Sequence, residues 1–422
     1  MSYRLYRAAT NAVWLASGWA LKLRARGSTP WAERLGDLPS VPPGSIWMHA
    51  ASVGEVSAAL PLVRALRSGG EAVLLTVVTP TGRRVAEEQV PEGVEVAHPP
   101  LDFVSPVRAA LDRVRPRALL LVETEIWPTL AFEAAAAGAL VGIVNGRLSE
   151  RSARYYRGAG SPLQGALESV SFVACRSEAD RRRFVAVGLP EGAVEVVGNM
   201  KFDTDSGPPC EDRRRETRDA LGVPAGARVV VYGCVRPTEE ETVAEAVASI
   251  DTEFPGVWQI VAPRHLERVE PLTGRLAGAG VSAVTRSLEL TARPPSRVIV
   301  LDTTGELKAV YSIACVAFVG GTLAPYGGHN PLEPAAQGVP VVLGPHTENC
   351  AEAARALVEG GGAVIVRSRE ELVRTVGELL RDEGLRTSAA DRALRVVQRG
   401  GGATERTLEI LAREGVLDEG RE

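Results

Sequence analysis

Along this chain, from residue 45, short apolar runs alternate with helix-patterned stretches, break off once, and then resume. The first series is Ile46–His49, Ala72–Thr79, Ala118–Val122, Leu140–Val144, Phe172–Cys175 and Val194–Val197. Helical patterns lie between them at Val56–Arg67, Val104–Val114, Leu130–Ala137 and Ala179–Val187. Alternation of this kind predicts a parallel sheet with helices on both faces. The break at Asp203–Asp212, DTDSGPPCED, has the composition of a linker. A second series follows at Arg228–Tyr232, Trp258–Ala262, Val298–Leu301, Val316–Val319 and Val339–Leu343. Helices are expected at Glu239–Asp251 and Leu332–Gln337, with a helical tail from Arg369 to Arg413. The reading is two doubly wound α/β domains, 28–205 and 206–422, after an N-terminal helix at 1–27. Ligands bind beyond the carboxyl ends of the strands in such sheets, so facing sheets would place a site in the cleft between them.

Composition narrows the class further. A 422-residue chain with 45% hydrophobic and 24% charged residues is neither disordered nor fibrous. Its net charge of −4 offers no global basic field for nucleic acid. Five scattered cysteines without a C-x-x-C pair suit a reduced compartment and give no zinc ribbon. The five histidines show no metal-ligand spacing, so no metal and no cofactor is expected. Lysine occurs only at Lys22, Lys201 and Lys308 in a chain rich in arginine.

Positive charge is concentrated at the start. Arg4, Arg7, Lys22, Arg24, Arg26 and Arg34 face a single acid, Glu33, within the first 36 residues. They flank the apolar run Ala8–Leu21, which carries Trp14 and Trp19 and follows Tyr3 and Tyr6. The run is short for a span of about 20 residues. It is read as a helix lying in or dipping into a membrane surface. Packing on the domain and a signal peptide are the alternatives.

Four motifs could carry chemistry. His49-Ala-Ala-Ser-Val-Gly-Glu55 follows the first strand and opens a helix. Glu55 is placed either to take a proton from a hydroxyl or to complement the helix dipole. Glu123-Thr-Glu-Ile-Trp-Pro128 puts Glu123 and Glu125 at the rim of a buried strand, where they cap and pair or take part in chemistry. Gly198-Asn-Met-Lys-Phe-Asp203 holds Lys201, whose ammonium is a compact point charge, unlike the planar fork of arginine. The Gly320–Pro334 loop, GGTLAPYGGHNPLEP, lets a backbone approach phosphate closely before Asn330-Pro331-Leu332-Glu333 opens a helix, or is simply a capped turn. Ala262-Pro-Arg-His265 and Thr303-Thr-Gly-Glu-Leu307 follow two other strands of the second domain.

Together HAASVGE, ETEIWP, NGRLSERS (145–152), GNMKFD, APRH and GGHNPLEPA closely resemble the transferases of 3-deoxy-D-manno-octulosonic acid (Kdo) in lipopolysaccharide assembly. The resemblance runs in the same order to about Ile365. It implies a glycosyltransferase-B fold, a CMP-Kdo donor on the second domain and a lipid A precursor as acceptor on the first. It also implies inversion at the anomeric carbon without a metal, at the cytoplasmic face of the inner membrane. On this resemblance the general base falls on Glu55. The transition-state carboxylate falls on Glu123, with Glu125 in reserve, and the essential lysine on Lys201. CMP contacts fall on Pro263, Arg264, Thr304, Gly305, Glu306, Asn330, Pro331, Leu332 and Glu333, and on Arg236. One segment departs from the family pattern. Gly233–Glu240 reads GCVRPTEE, with Cys234 and Val235 at positions usually hydroxyl or small polar, and Thr238 at a glycine. The rival functions are a related transferase of another CMP- or UDP-sugar, and a membrane-tethered scaffold without catalysis.

Overall fold

The computed structural model describes residues 3–25, 29–124, 126–156, 162–203, 210–287 and 296–417. Two compact units emerge: Met1–Asp203 with Gly400–Glu422, and Thr204–Arg399.

The first unit is built on a seven-stranded sheet. Its strands are β1 (Ile46–Ala50), β2 (Val73–Val77), β3 (Glu95–Ala97), β4 (Ala118–Val122), β5 (Leu140–Gly146), β6 (Phe172–Cys175) and β7 (Val194–Val196). They lie in the order β3-β2-β1-β4-β5-β6-β7, and every pairing is parallel. The central strands are buried along their whole length, as parallel strands between helical layers must be. One face packs Met48, Leu75 and Leu120 against Leu62 and Val63 of the helix Val53–Ser68. The other packs Trp47, Leu119 and Val141 against Leu111 and Leu130.

The second unit repeats the plan. Strands β8 (Val229–Val235), β9 (Trp258–Pro263), β10 (Ala283–Thr285), β11 (Val298–Val300), β12 (Val316–Val319), β13 (Val341–Leu343) and β14 (Ala363–Ile365) form a parallel sheet. Their order is β10-β11-β9-β8-β12-β13-β14. In each sheet the order reverses beside a central strand, β1 in one and β8 in the other, which is where such folds place their ligands.

The tail corrects the expected domain boundaries. Residues 400–417, expected in the second domain, belong to the first unit. Ile410, Leu411 and Val416 enter the same core as Met48 and Leu62. Asp203 caps the helix Ala403–Arg413 from across the chain, accepting from Ala403 N at 3.2 Å and Thr404 N at 2.5 Å. An amphipathic helix shows in its sequence that it buries a face, but not against which sheet.

The N-terminal helix Tyr3–Ala25 is also partly a packed element. Tyr6 donates to Asp102 Oδ2 at 3.0 Å, and the Trp14 and Phe103 rings meet at 5.3 Å. Two aromatics of the expected membrane-surface helix, Tyr6 and Trp14, therefore face protein. Val13, Leu15 and Trp19 remain exposed. Among the described residues no helix is long and apolar enough to cross a membrane. Residues 1–2 and 26–27 of the expected helix lie outside the described residues.

Candidate functional site

The first cluster forms where β1, β4, β5 and β6 end. Ser52 is the N-cap of the helix Val53–Ser68 and accepts from Glu55 N at 3.4 Å. Glu55 turns back in return: Oε2 accepts from Ala51 N, and Oε1 accepts from Ser52 Oγ at 3.2 Å. This is a variant of the capping box in which the carboxylate reaches the N–H one residue before the N-cap, and the dipole-complementing role of Glu55 is realised.

Glu123 follows β4 in a left-handed backbone conformation, φ 60°, which is uncommon outside glycine and costs energy. Its N–H still bonds Val144 O at 2.9 Å, so the strained residue is pinned to β5. The carboxylate meets two cations at one oxygen. Arg176 Nη2 and Lys201 Nζ both donate to Oε1, the latter at 3.2 Å. Asn145 is left-handed too, φ 52°, and its Oδ1 accepts from Met200 N at 3.0 Å. That bond seats the 3-10 turn Met200–Phe202 that carries Lys201. The same ammonium overhangs the helix start: a Cβ built on Gly54 would lie 3.8 Å from Lys201 Nζ. Glu55, Glu123 and Lys201 thus share one end of the sheet. Glu125 lies outside the described residues.

His49 sits beside this group on β1. Its ring is buried, edge-on to Trp127 of the ETEIWP motif at 5.0 Å, and its Nδ1 bonds Thr76 Oγ1 at 3.0 Å. Burial pushes its pKa down to about 3, so the ring is neutral.

The second cluster lies at the carboxyl ends of β8, β9, β11 and β12. Its frame is Glu239, a buried carboxylate that collects backbone donors. It accepts from Gly321 N at 2.6 Å, Leu323 N at 2.8 Å, Ala324 N at 3.2 Å and Arg236 N at 3.1 Å. Four such bonds fix the glycine loop to the turn after β8. Gly320 is required there, because a Cβ would stand 2.4 Å from Cys234 O. Cys234 itself is left-handed, φ 56°, and burial pushes its thiol up to about 12. The departure from the family pattern therefore presents a neutral thiol.

Cations converge on this loop. Arg236 Nη1 contacts His265 Nε2 at 2.9 Å, and its guanidinium lies 5.0 Å over the Tyr326 ring. Arg236 Nε and His329 Nε2 are buried and find no hydrogen-bond partner among the described residues. Burial, then Arg236, Arg264 and His265, push His329 down to about 4. Burial raises Glu333, against the fields of Lys308 and Arg264 and a bond from Asn330. Arg264 is exposed directly after the buried Pro263. The cluster thus brings together Arg236, Pro263, Arg264, Asn330 and Glu333, with Pro331 and Leu332 buried beneath. Its helix, Leu332–Ala336, is too short for the strong dipole that the motif suggested. Thr304 and Gly305 form an exposed turn before the helix Leu307–Tyr311. Glu306 is already engaged, by Thr303 Oγ1 and by Arg286 Nη2 at 3.3 Å. Among the described residues no group of three or more His, Cys, Asp or Glu could hold a metal ion.

Residues 29–204 match the family model for 3-deoxy-D-manno-octulosonic-acid transferase (kdotransferase). Over 388 residues the chain is 31% identical to the 3-deoxy-D-manno-octulosonic acid transferase of Haemophilus influenzae, covering 90% of each protein. The chain belongs to the Kdo transferase family. The Kdo transferase of Bordetella pertussis is 32% identical, over 87% of this chain and 86% of that protein. Among solved structures, the UDP-GlcNAc 2-epimerase of Neisseria meningitidis superposes with a TM-score of 0.56 at 13% identity, covering 87% of this chain and all of that one. A glycosyltransferase of Rickettsia africae superposes with a TM-score of 0.52 at 10% identity, covering 90% and 100%. At such identities these two speak for the fold alone, which is glycosyltransferase-B. As a Kdo transferase family member the protein is a glycosyltransferase.

Two site residues carried no signal in the sequence. Arg176 is one arginine among many, and only the structure shows it buried against Glu123. Asn145 opens the NGRLSERS stretch, but nothing in its spacing tells that it holds the lysine turn.

Proposed function

We propose that the protein transfers Kdo from CMP-Kdo to a phosphorylated lipid A precursor with inversion at the anomeric carbon. The observation that carries this reading is the gathering of Glu55, Glu123 and Lys201 at one end of the first sheet, in a chain of this family.

Each residue then has a chemical task. Glu55, held in place by its own helix cap, takes the proton of the acceptor hydroxyl, which is worth roughly 10²–10⁴-fold. Displacement builds oxocarbenium character on the sugar, and Glu123 supplies negative charge toward it, with Glu125 in reserve. Lys201 meets an anionic group of the substrates. Negative charge also grows on the departing CMP phosphate. Arg264 and Arg236, with the buried donors around the glycine loop, answer it. Thr304, Gly305, Asn330 and Glu333 offer backbone and carboxylate groups to the nucleoside.

The acceptor is a lipid, and the N-terminal helix holds the protein at the cytoplasmic face of the inner membrane. Leu15 and Trp19, one turn apart on the same helix face and exposed at 82% and 66%, form the apolar contact, and the basic flanks favour anionic headgroups. Incubation with CMP-Kdo and a tetraacylated lipid A precursor tests the reading. Release of CMP together with a heavier lipid supports it, and turnover only with a UDP-sugar defeats it.

A further inference from the structure

Glu123 stands between two cations of very different exposure. The Arg176 side chain is 4% exposed and the Lys201 side chain 30%, while Glu123 is 14% exposed. Arg176 is also tied from behind, its Nε donating to Asn145 O at 3.3 Å. Asn145 in turn seats the turn that carries Lys201. One cation is locked in the protein, and the other reaches out of it.

The charges explain why both are present. Two cations share one oxygen of Glu123, so the exposed ammonium can turn to an incoming anion while the buried guanidinium stays. A carboxylate this sheltered is costly once its last partner leaves, so a lone Lys201 would be held by Glu123. With Arg176 fixed on the same oxygen, Lys201 can depart without stranding it. We propose that Arg176 is a positioning residue that keeps Glu123 paired, so that Lys201 is free to swing onto a carboxylate or phosphate of a substrate. The inference rests on the Kdo-transfer reading above.

The test measures Lys201→Gln in two backgrounds, with KM determined separately for CMP-Kdo and for the lipid precursor. In the otherwise wild-type enzyme the loss of one charged hydrogen bond should raise one KM by about tenfold or more. The arm that moves tells whether the anion belongs to donor or acceptor. In Arg176→Gln that KM is already raised, and adding Lys201→Gln changes it by less than about twofold, because the ammonium was committed to Glu123. Arg176→Lys, which keeps the charge, should retain most of the Lys201 contribution. In Arg176→Gln/Glu123→Gln, where the Glu123 carboxylate no longer holds the ammonium, the contribution of Lys201 should return. This neutral pair also serves if Arg176→Gln alone does not fold. Equal Lys201 penalties with and without Arg176, or no contribution from Lys201 in the neutral pair, overturns the role of Arg176. A wild-type enzyme inert toward CMP-Kdo overturns the Kdo-transfer reading instead.

Discussion

Lys201 Nζ lies 3.2 Å from Glu123 Oε1, although the two residues are 78 positions apart in the chain. One follows β4 and the other sits in a turn after β7, so only the folded sheet brings them together. A lysine that survives in an arginine-rich chain has thereby found a carboxylate that already holds an arginine.

That crowding makes the position intolerant of a second guanidinium. Lys201→Arg keeps the charge, but its wider planar fork points its hydrogen bonds elsewhere. A misplacement of about 1 Å at a reacting centre costs on the order of 10²-fold. Lys201→Arg should therefore be nearly as damaging as Lys201→Ala in kcat/KM at fixed salt. Full activity of Lys201→Arg would show a solvated surface charge instead.

Glu55 carries two roles that one substitution separates. Gln serves in a capping box as Glu does, so Glu55→Gln should keep helix stability to within about 1 kcal/mol. As a lost base it should cut transfer by at least about 10²-fold. Thermal unfolding and turnover are measured side by side. A stable variant with near wild-type turnover leaves Glu55 a cap and nothing more.

Much of this was legible in the residues, and the gaps have physical causes. The long central strands showed as unbroken apolar runs, for example Ala118–Val122, found with the expected limits. Glu95–Ala97, Ala283–Thr285 and Ala363–Ile365 escaped because each is a three-residue edge strand with partial exposure, too short to show a period. Lys201 stood out by scarcity, whereas Arg176 hid among its own kind. Glu239 stands unmarked within Gly233–Glu240, since nothing in a sequence tells that four backbone N–H groups will converge on one carboxylate.

The N-terminal helix offers a cleaner test than truncation. Asp102 accepts from Tyr6 and also caps the helix Pro128–Ala136 through Thr129 N at 3.2 Å and Leu130 N at 2.9 Å. Deleting residues 1–24 removes the Tyr6 bond and should lower stability. Leu15→Asp/Trp19→Asp leaves that packing intact. Each lost apolar side chain removes about 1.5 kcal/mol or more of burial, so vesicle affinity should fall more than about tenfold. Activity on a detergent-dispersed acceptor should persist. Undiminished sedimentation of the double variant with anionic vesicles would place the membrane contact elsewhere.

The buried histidines set a direction for acid sensitivity. His49 and His329 are pushed down to about 3 and about 4 from 6.5. Below about pH 6.5 the unfolded chain takes up protons that the folded rings refuse. Stability therefore falls as pH drops through that window, by up to about 1.4 kcal/mol per unit for each ring. Five of the six tryptophans, Trp14, Trp19, Trp31, Trp47 and Trp127, belong to the first unit, so their fluorescence follows the unit that holds His49. Between about pH 7 and about pH 5, His49→Gln should lose less urea resistance than the wild type. Parallel losses would mean that His49 is protonated in the fold.

The measurement closest to the central claim is mass analysis of a tetraacylated lipid A precursor after incubation with the protein and CMP-Kdo. The predicted result is a lipid heavier by a whole number of Kdo residues, CMP released in equal amount, and no product from Glu55→Gln under the same conditions. An unchanged lipid, or sugar transfer from a UDP donor in place of CMP-Kdo, would contradict it.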